Sequence, residues 1–165
     1  MPNADQMLEH AEANAAANAA PNLSPRPERQ VAVLSCMDAR IAMFPLLGLK
    51  RGDAHIIRNA GGLATDDAIR SLAISQRVLG TQEIVVVMHE SCGLLGASED
   101  DFTRELAADG AHPSWRMGAF ADIDATLRTT LTRLRTAPEI KHKDHIRGFV
   151  FDPETGALRE VDVDY

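Results

Sequence analysis

EIVVVMHE, residues 83–90, is the stretch on which the fold turns. Five apolar residues in an unbroken row, three of them valine, do not alternate with polar ones. Such a run reads as a strand covered on both faces, the situation of an interior strand in a parallel sheet. It stops at His89, and Cys92 follows three residues later.

Working outward, the flanking segments support a βαβ pattern. Upstream, TDDAIRSLAISQRVLG (65–80) places Ile69, Leu72, Ala73, Gln76 and Leu79 near helical spacing. Thr65 is the expected cap, Asp66 and Asp67 occupy the first turn, and Gly80 is the stop. Before it, AHIIRN (54–59) and QVAVLS (30–35) read as two more strands. Strands separated by helices call for crossovers and a mostly parallel sheet. Downstream, Ser98-Glu99-Asp100-Asp101 opens one helix, and Ile123, Leu127, Leu131 and Leu134 mark a longer amphipathic one. RGFVFDPETGALREVDV (147–163) reads as two strands around a Pro153–Gly156 turn. The expected fold class is therefore α/β: a mostly parallel central sheet flanked by helices, with a C-terminal antiparallel hairpin and an N-terminal helical arm. Residues 1–29 form that arm, an alanine-rich helix over 3–19 and the extended PNLSPRP (21–27). Residues 30–165 form the domain. The arm carries few large apolar side chains and is expected to pack on something else, such as a second subunit.

Composition narrows the classes of function. A formal net charge of −7 argues against a nucleic-acid partner, and no basic run offers a grip on anionic lipid. Two cysteines are too few for a disulfide framework. HAEANAAANAA (10–20) is broken by Asn and Glu, so it is read as neither a signal peptide nor a membrane span, and the cytoplasm is the expected location.

Those two cysteines carry the chemistry. The first strand runs into Cys36-Met37-Asp38-Ala39-Arg40, which puts a thiol, a carboxylate and a guanidinium on alternate positions expected to point one way. Cys36, His89 and Cys92 all fall at carboxyl ends of parallel strands, the edge where open α/β sheets bind ligands. Two thiolates and one imidazole suit zinc, and three protein ligands leave the open position of a catalytic site. A structural knuckle would draw four ligands from paired Cys-x-x-Cys units, and the chain has none. The Gly61-Gly62 pair after a strand lacks the G-x-G-x-x-G pattern of a dinucleotide site.

Cys36-x-Asp38-x-Arg40 followed by His89-x-x-Cys92 resembles the paired signature of the β-class carbonic anhydrases. The likeness continues through RGDAHIIRNAGG (51–62), DDAIRSLAISQRVLG (66–80) and RGFVFDPETGAL (147–158), about residues 30 to 160 in all. CMDAR and the short chain look most like the compact bacterial branch, which contains carbonyl sulfide hydrolases and is related to carbon disulfide hydrolases. The resemblance implies a zinc ion held by Cys36, His89 and Cys92, and a homodimer or homotetramer with the site near a subunit boundary. It implies reversible hydration of carbon dioxide to bicarbonate by a zinc-bound hydroxide. The same machinery acting on carbonyl sulfide is the alternative, giving carbon dioxide and hydrogen sulfide. Either substrate is small, neutral and triatomic. A non-catalytic zinc protein is the third reading, against which Asp38 and Arg40 speak.

Within that resemblance Asp38 is the group that accepts a hydrogen bond from the bound water, and Arg40 holds it by a two-pronged contact. In a closed state Asp38 itself becomes the fourth zinc ligand. Ala60, Gly61 and Gly62 are candidate substrate contacts through backbone N–H groups. Lys50 departs from the pattern, because plant-type members carry there a glutamine that hydrogen-bonds bicarbonate. Phe44, Leu46 and Leu47 are candidate pocket walls, or simply core. His142 and His145, in the charged KHKDH, are expected to be ordinary surface residues. His55, His112 and Trp115 give no signal.

Overall fold

The computed structural model describes residues 2–162. Five strands form one sheet: β1 (Val31–Cys36), β2 (Ala54–Asn59), β3 (Glu83–His89), β4 (Ile146–Phe151) and β5 (Leu158–Glu160), in the order β2-β1-β3-β4-β5. Every pairing is parallel except β4 with β5, which closes the C-terminal hairpin. The hairpin's second strand ends at Glu160, short of the expected Val163, which itself lies outside the described residues. Six helices accompany the sheet: α1 (Asn3–Ala13), α2 (Ala15–Asn18), α3 (Met43–Leu46), α4 (Asp66–Arg77), α5 (Glu99–Ala108) and α6 (Ile123–Thr136).

The expected caps are in place. The Thr65 side chain accepts the N–H of Ala68, and Ser98 accepts that of Asp101. The arm helix differs from expectation by a break at Asn14, whose side-chain amide donates to the His10 carbonyl and ends α1. Asparagine competes in this way with the backbone's own bonds and favours a helix end over an interior.

The sheet's two faces are unequal. On one, Ala32, Leu34, Ile84, Val86 and Met88 pack against Ile69 and Leu72 of α4 and Leu127, Leu131 and Leu134 of α6. Gly148 makes that contact close: a Cβ there would stand 2.6 Å from Leu131 Cδ1. On the other face, Val33, Val87 and Phe151 meet Ile41 and Met43, while Val31, Ala54, Ile56, Val85 and Phe149 are only half-buried. The extended part of the arm packs beside the start of β2, where Pro27 is buried and Leu23 lies against Gly52, but the arm's helices do not pack. Neither α1 nor α2 buries a residue, and Met7 is 69% exposed. Among the described residues no helix is long and apolar enough to cross a membrane.

The strand order also locates the site. From β1 the chain leaves toward β2 on one side, and from β3 it leaves toward β4 on the other. The crevice between the ends of β1 and β3 is therefore a topological switch point. Cys36 ends β1 and His89 ends β3.

Candidate metal centre

Among the described residues, Cys36, His89 and Cys92 form the one group suited to holding a metal ion, with all three ligand atoms within 4.8 Å of one another. All three are buried. The sulfurs come from the end of β1 and from the turn after β3, so parallel pairing brings Cys36 and His89 together and the turn adds Cys92.

The histidine fixes the chemistry of the group. His89 Nδ1 lies 2.9 Å from the Glu90 carbonyl oxygen. A carbonyl can only accept, so Nδ1 carries the proton and Nε2 presents a bare lone pair. That Nε2 is buried and has no hydrogen-bond partner. A buried unpaired nitrogen is costly unless something binds it, and a carbonyl behind the ring is the usual outer partner of a metal-ligating imidazole. Burial, then the neighbouring Cys36 sulfur, pushes the Cys92 thiol up. A bound cation reverses that balance and holds thiolates instead. The donor set of two sulfurs and one imidazole fits zinc.

Asp38 and Arg40 are brought together, but not by strand alternation. The strand ends at Cys36, and residues 38–41 form a turn in which Ile41 donates to the Asp38 carbonyl. Arg40 Nε donates to Asp38 Oδ1 at 2.9 Å and Nη2 to Oδ2 at 2.8 Å, and the Arg40 backbone N–H adds a third bond to Oδ1. These bonds hold the Asp38 carboxyl well below the usual carboxylate range. Its Oδ2 stands 3.7 Å from His89 Nε2, too far for a hydrogen bond and close enough to address a group bound there. Arg40 Nη2 also donates to the Ser91 carbonyl, in a turn where Ser91 takes a left-handed φ of 54°. One guanidinium thus ties Asp38 to the segment carrying His89 and Cys92. With both oxygens on Arg40, Asp38 is not a ligand in this arrangement.

Ala60, Gly61 and Gly62 form a 3-10 turn between β2 and α4. Asn59 closes it by accepting the Leu63 N–H and donating to the Leu63 carbonyl. Leu46 and Leu47 are half-buried on the second sheet face, and Phe44 is 43% exposed. Lys50 is exposed, and its backbone N–H is bound by Asp53. His145 is exposed and His142 half-buried, and neither belongs to the metal-holding group.

Sequence reasoning missed Arg58. Its Nε donates to the Cys36 carbonyl at 2.9 Å and its Nη2 to the Asp38 carbonyl at 2.6 Å. Parallel register carried the signal: β2 pairs Asn59 with Cys36, which leaves a charged residue just before it with no apolar role.

Comparison with known proteins bears on this geometry. A family model described as carbonic anhydrase matches residues 31–115. β-Carbonic anhydrase 1 of Mycobacterium tuberculosis is 46% identical over 136 residues, which are 82% of this chain and 83% of that protein. A carbon disulfide hydrolase of Acidithiobacillus thiooxidans is 35% identical over 152 residues, 79% of this chain and 76% of the relative. The crystal structure of a Streptococcus mutans carbonic anhydrase superposes with a TM-score of 0.89 at 39% identity, covering 98% of this chain and 99% of that one.

Proposed function

Because this chain belongs to the β-carbonic anhydrase family, we propose that it catalyses the reversible hydration of carbon dioxide to bicarbonate at a zinc ion held by Cys36, His89 and Cys92. The observation that carries this reading is the bare, buried Nε2 of His89 facing two cysteine sulfurs, with an ionised carboxylate beside it. Zinc bound there would supply a Lewis acid that brings a coordinated water's pKa from 15.7 towards about 7.

The chain's own residues do the rest. Asp38, kept ionised by Arg40, accepts a hydrogen bond from the water and turns its lone pair toward the substrate carbon. Arg40 keeps that carboxylate from swinging to the metal. Buried surroundings at Cys36 and Cys92 limit water at the sulfurs, which favours a neutral, weakly hydrated substrate. The N–H groups of the Ala60–Gly62 turn are the proposed contacts for the product's oxygens. A zinc that merely staples the sheet has no use for the Asp38–Arg40 pair.

A second reading is hydrolysis of carbonyl sulfide to carbon dioxide and hydrogen sulfide, a substrate that shares its carbon–sulfur double bond with the carbon disulfide for which one relative is named. Pocket size separates such similar triatomic molecules poorly. Side-by-side specificity constants decide: bicarbonate formation from carbon dioxide is expected to exceed sulfide release from carbonyl sulfide. A sulfide rate equal or larger would make the second reading the right one.

The working form in this reading is a homodimer or homotetramer. The half-buried second face of the sheet and the unpacked arm helices, with Met7 and Leu8 exposed, support it. A mass in solution of 17.9 kDa, the single chain's, would refute it. Two free thiols at the site suit the reducing cytoplasm.

A further inference from the structure

β2 turns away at Ala60, one residue past the point where it pairs with Cys36. The ladder therefore cannot continue past Cys36, the proposed metal ligand, to Asp38, the acid–base group. Arg58 reaches over that gap. Its Nε and Nη2 form one edge of the guanidinium, two parallel donors, and they take the carbonyls of Cys36 and Asp38. The Met37 N–H between them is still held by the Asn59 carbonyl at 2.8 Å. Three consecutive residues are thus pinned to the end of β2, two of them by one side chain.

Resting on the metal-site reading above, we propose that Arg58 is a positioning residue that keeps Asp38 out of the metal's coordination sphere. Arg40 alone does not secure this. Its side chain ties the Asp38 carboxylate to the Ser91 carbonyl but takes neither the Cys36 nor the Asp38 carbonyl, so the main chain there needs another hold. Only 3.7 Å separates Asp38 Oδ2 from His89 Nε2, so a small shift of the main chain would bring the carboxylate onto a metal bound there. Arg58 anchors that main chain from a different element. It divides the labour: Arg40 sets where the carboxylate points, and Arg58 sets where its backbone stands.

The test uses full-length protein loaded with cobalt(II), whose visible bands respond when azide takes an open coordination position. Parent protein is expected to show thiolate charge-transfer bands and a saturable azide response. In Arg58→Met the azide concentration for half response rises at least tenfold, because Asp38 fills the position. In Arg58→Met/Asp38→Asn the response returns, which a merely structural role for Arg58 does not produce. Arg58→Lys keeps the charge but offers no pair of parallel donors, so it shows an intermediate loss and decides the matter if the Met variant does not fold. Parent-like azide response in either single variant, or a loss that Asp38→Asn does not reverse, overturns the proposal. A parent that takes up no cobalt overturns the metal site itself, a different failure.

Discussion

Gly62 lies against the backbone of Cys36, so close that a Cβ on Gly62 would stand 3.0 Å from the Cys36 nitrogen and 3.1 Å from the Ser35 carbonyl carbon. Its φ of 66° is left-handed as well. Both facts forbid a side chain at the point where the 3-10 turn crosses the end of β1. Gly62→Ala is expected to cost about 1–2 kcal/mol for the backbone conformation alone, and overpacking adds about 1–3 kcal/mol. Urea denaturation reads this as a lower midpoint at an unchanged slope. A midpoint equal to the parent's would mean that the turn has room the structure does not show.

Asp38→Asn removes the ionised acceptor but keeps the shape. Zinc content is expected to remain, while turnover falls by about 10²–10⁴, the usual loss for an acid–base group. Metal analysis with stopped-flow carbon dioxide hydration checks both halves. Unchanged turnover would leave the Asp38–Arg40 pair with no part in the chemistry.

Cys36→Ser and Cys92→Ser each delete a ligand from opposite sides of the crevice. Each is expected to purify with little zinc, whereas a parent with all three residues holds about one ion per chain. Retention of metal in both would refute the ligand assignment.

An acid-side prediction comes from the last strand, β5. Hydrogen bonds from Arg159 hold the Asp124 carboxyl below its ordinary value. A lowered folded pKa means stability that is present above the unfolded value near 3.9 and lost as pH falls through the lower folded one. Both partners are partly exposed, so the contribution is below about 1 kcal/mol after screening. Asp124→Asn should melt lower than the parent at pH 7, and the difference should shrink and then vanish as pH falls below the ordinary carboxylate value. A difference that persists there would assign the effect to packing.

Most of the fold was legible because its signals are local. Unbroken valine runs, Thr65 and Ser98 caps and the Ile123–Leu134 stripe each declare an element within a few residues. Cys36 and His89 could be placed together because parallel strands end on one edge, so they converge with Cys92 into one metal-suited group without any knowledge of side-chain packing. What failed was the local geometry past the strand end. Asp38 and Arg40 share a site through a turn closed by their own hydrogen bonds, and period-two reasoning stops applying once β1 stops. Arg58 escaped notice because its role depends on register with another strand, which hydrophobic pattern alone does not fix. The unequal cover of the two sheet faces was hidden likewise, since a run of valines reads the same whether a helix or another subunit lies above it.

X-ray absorption at the zinc edge tests the central claim most directly. With Cys36, His89 and Cys92 as ligands, the first shell should contain two sulfurs at about 2.3 Å and two nitrogen or oxygen atoms at about 2.0–2.1 Å. A shell with one sulfur or none in the fully loaded protein would contradict the account.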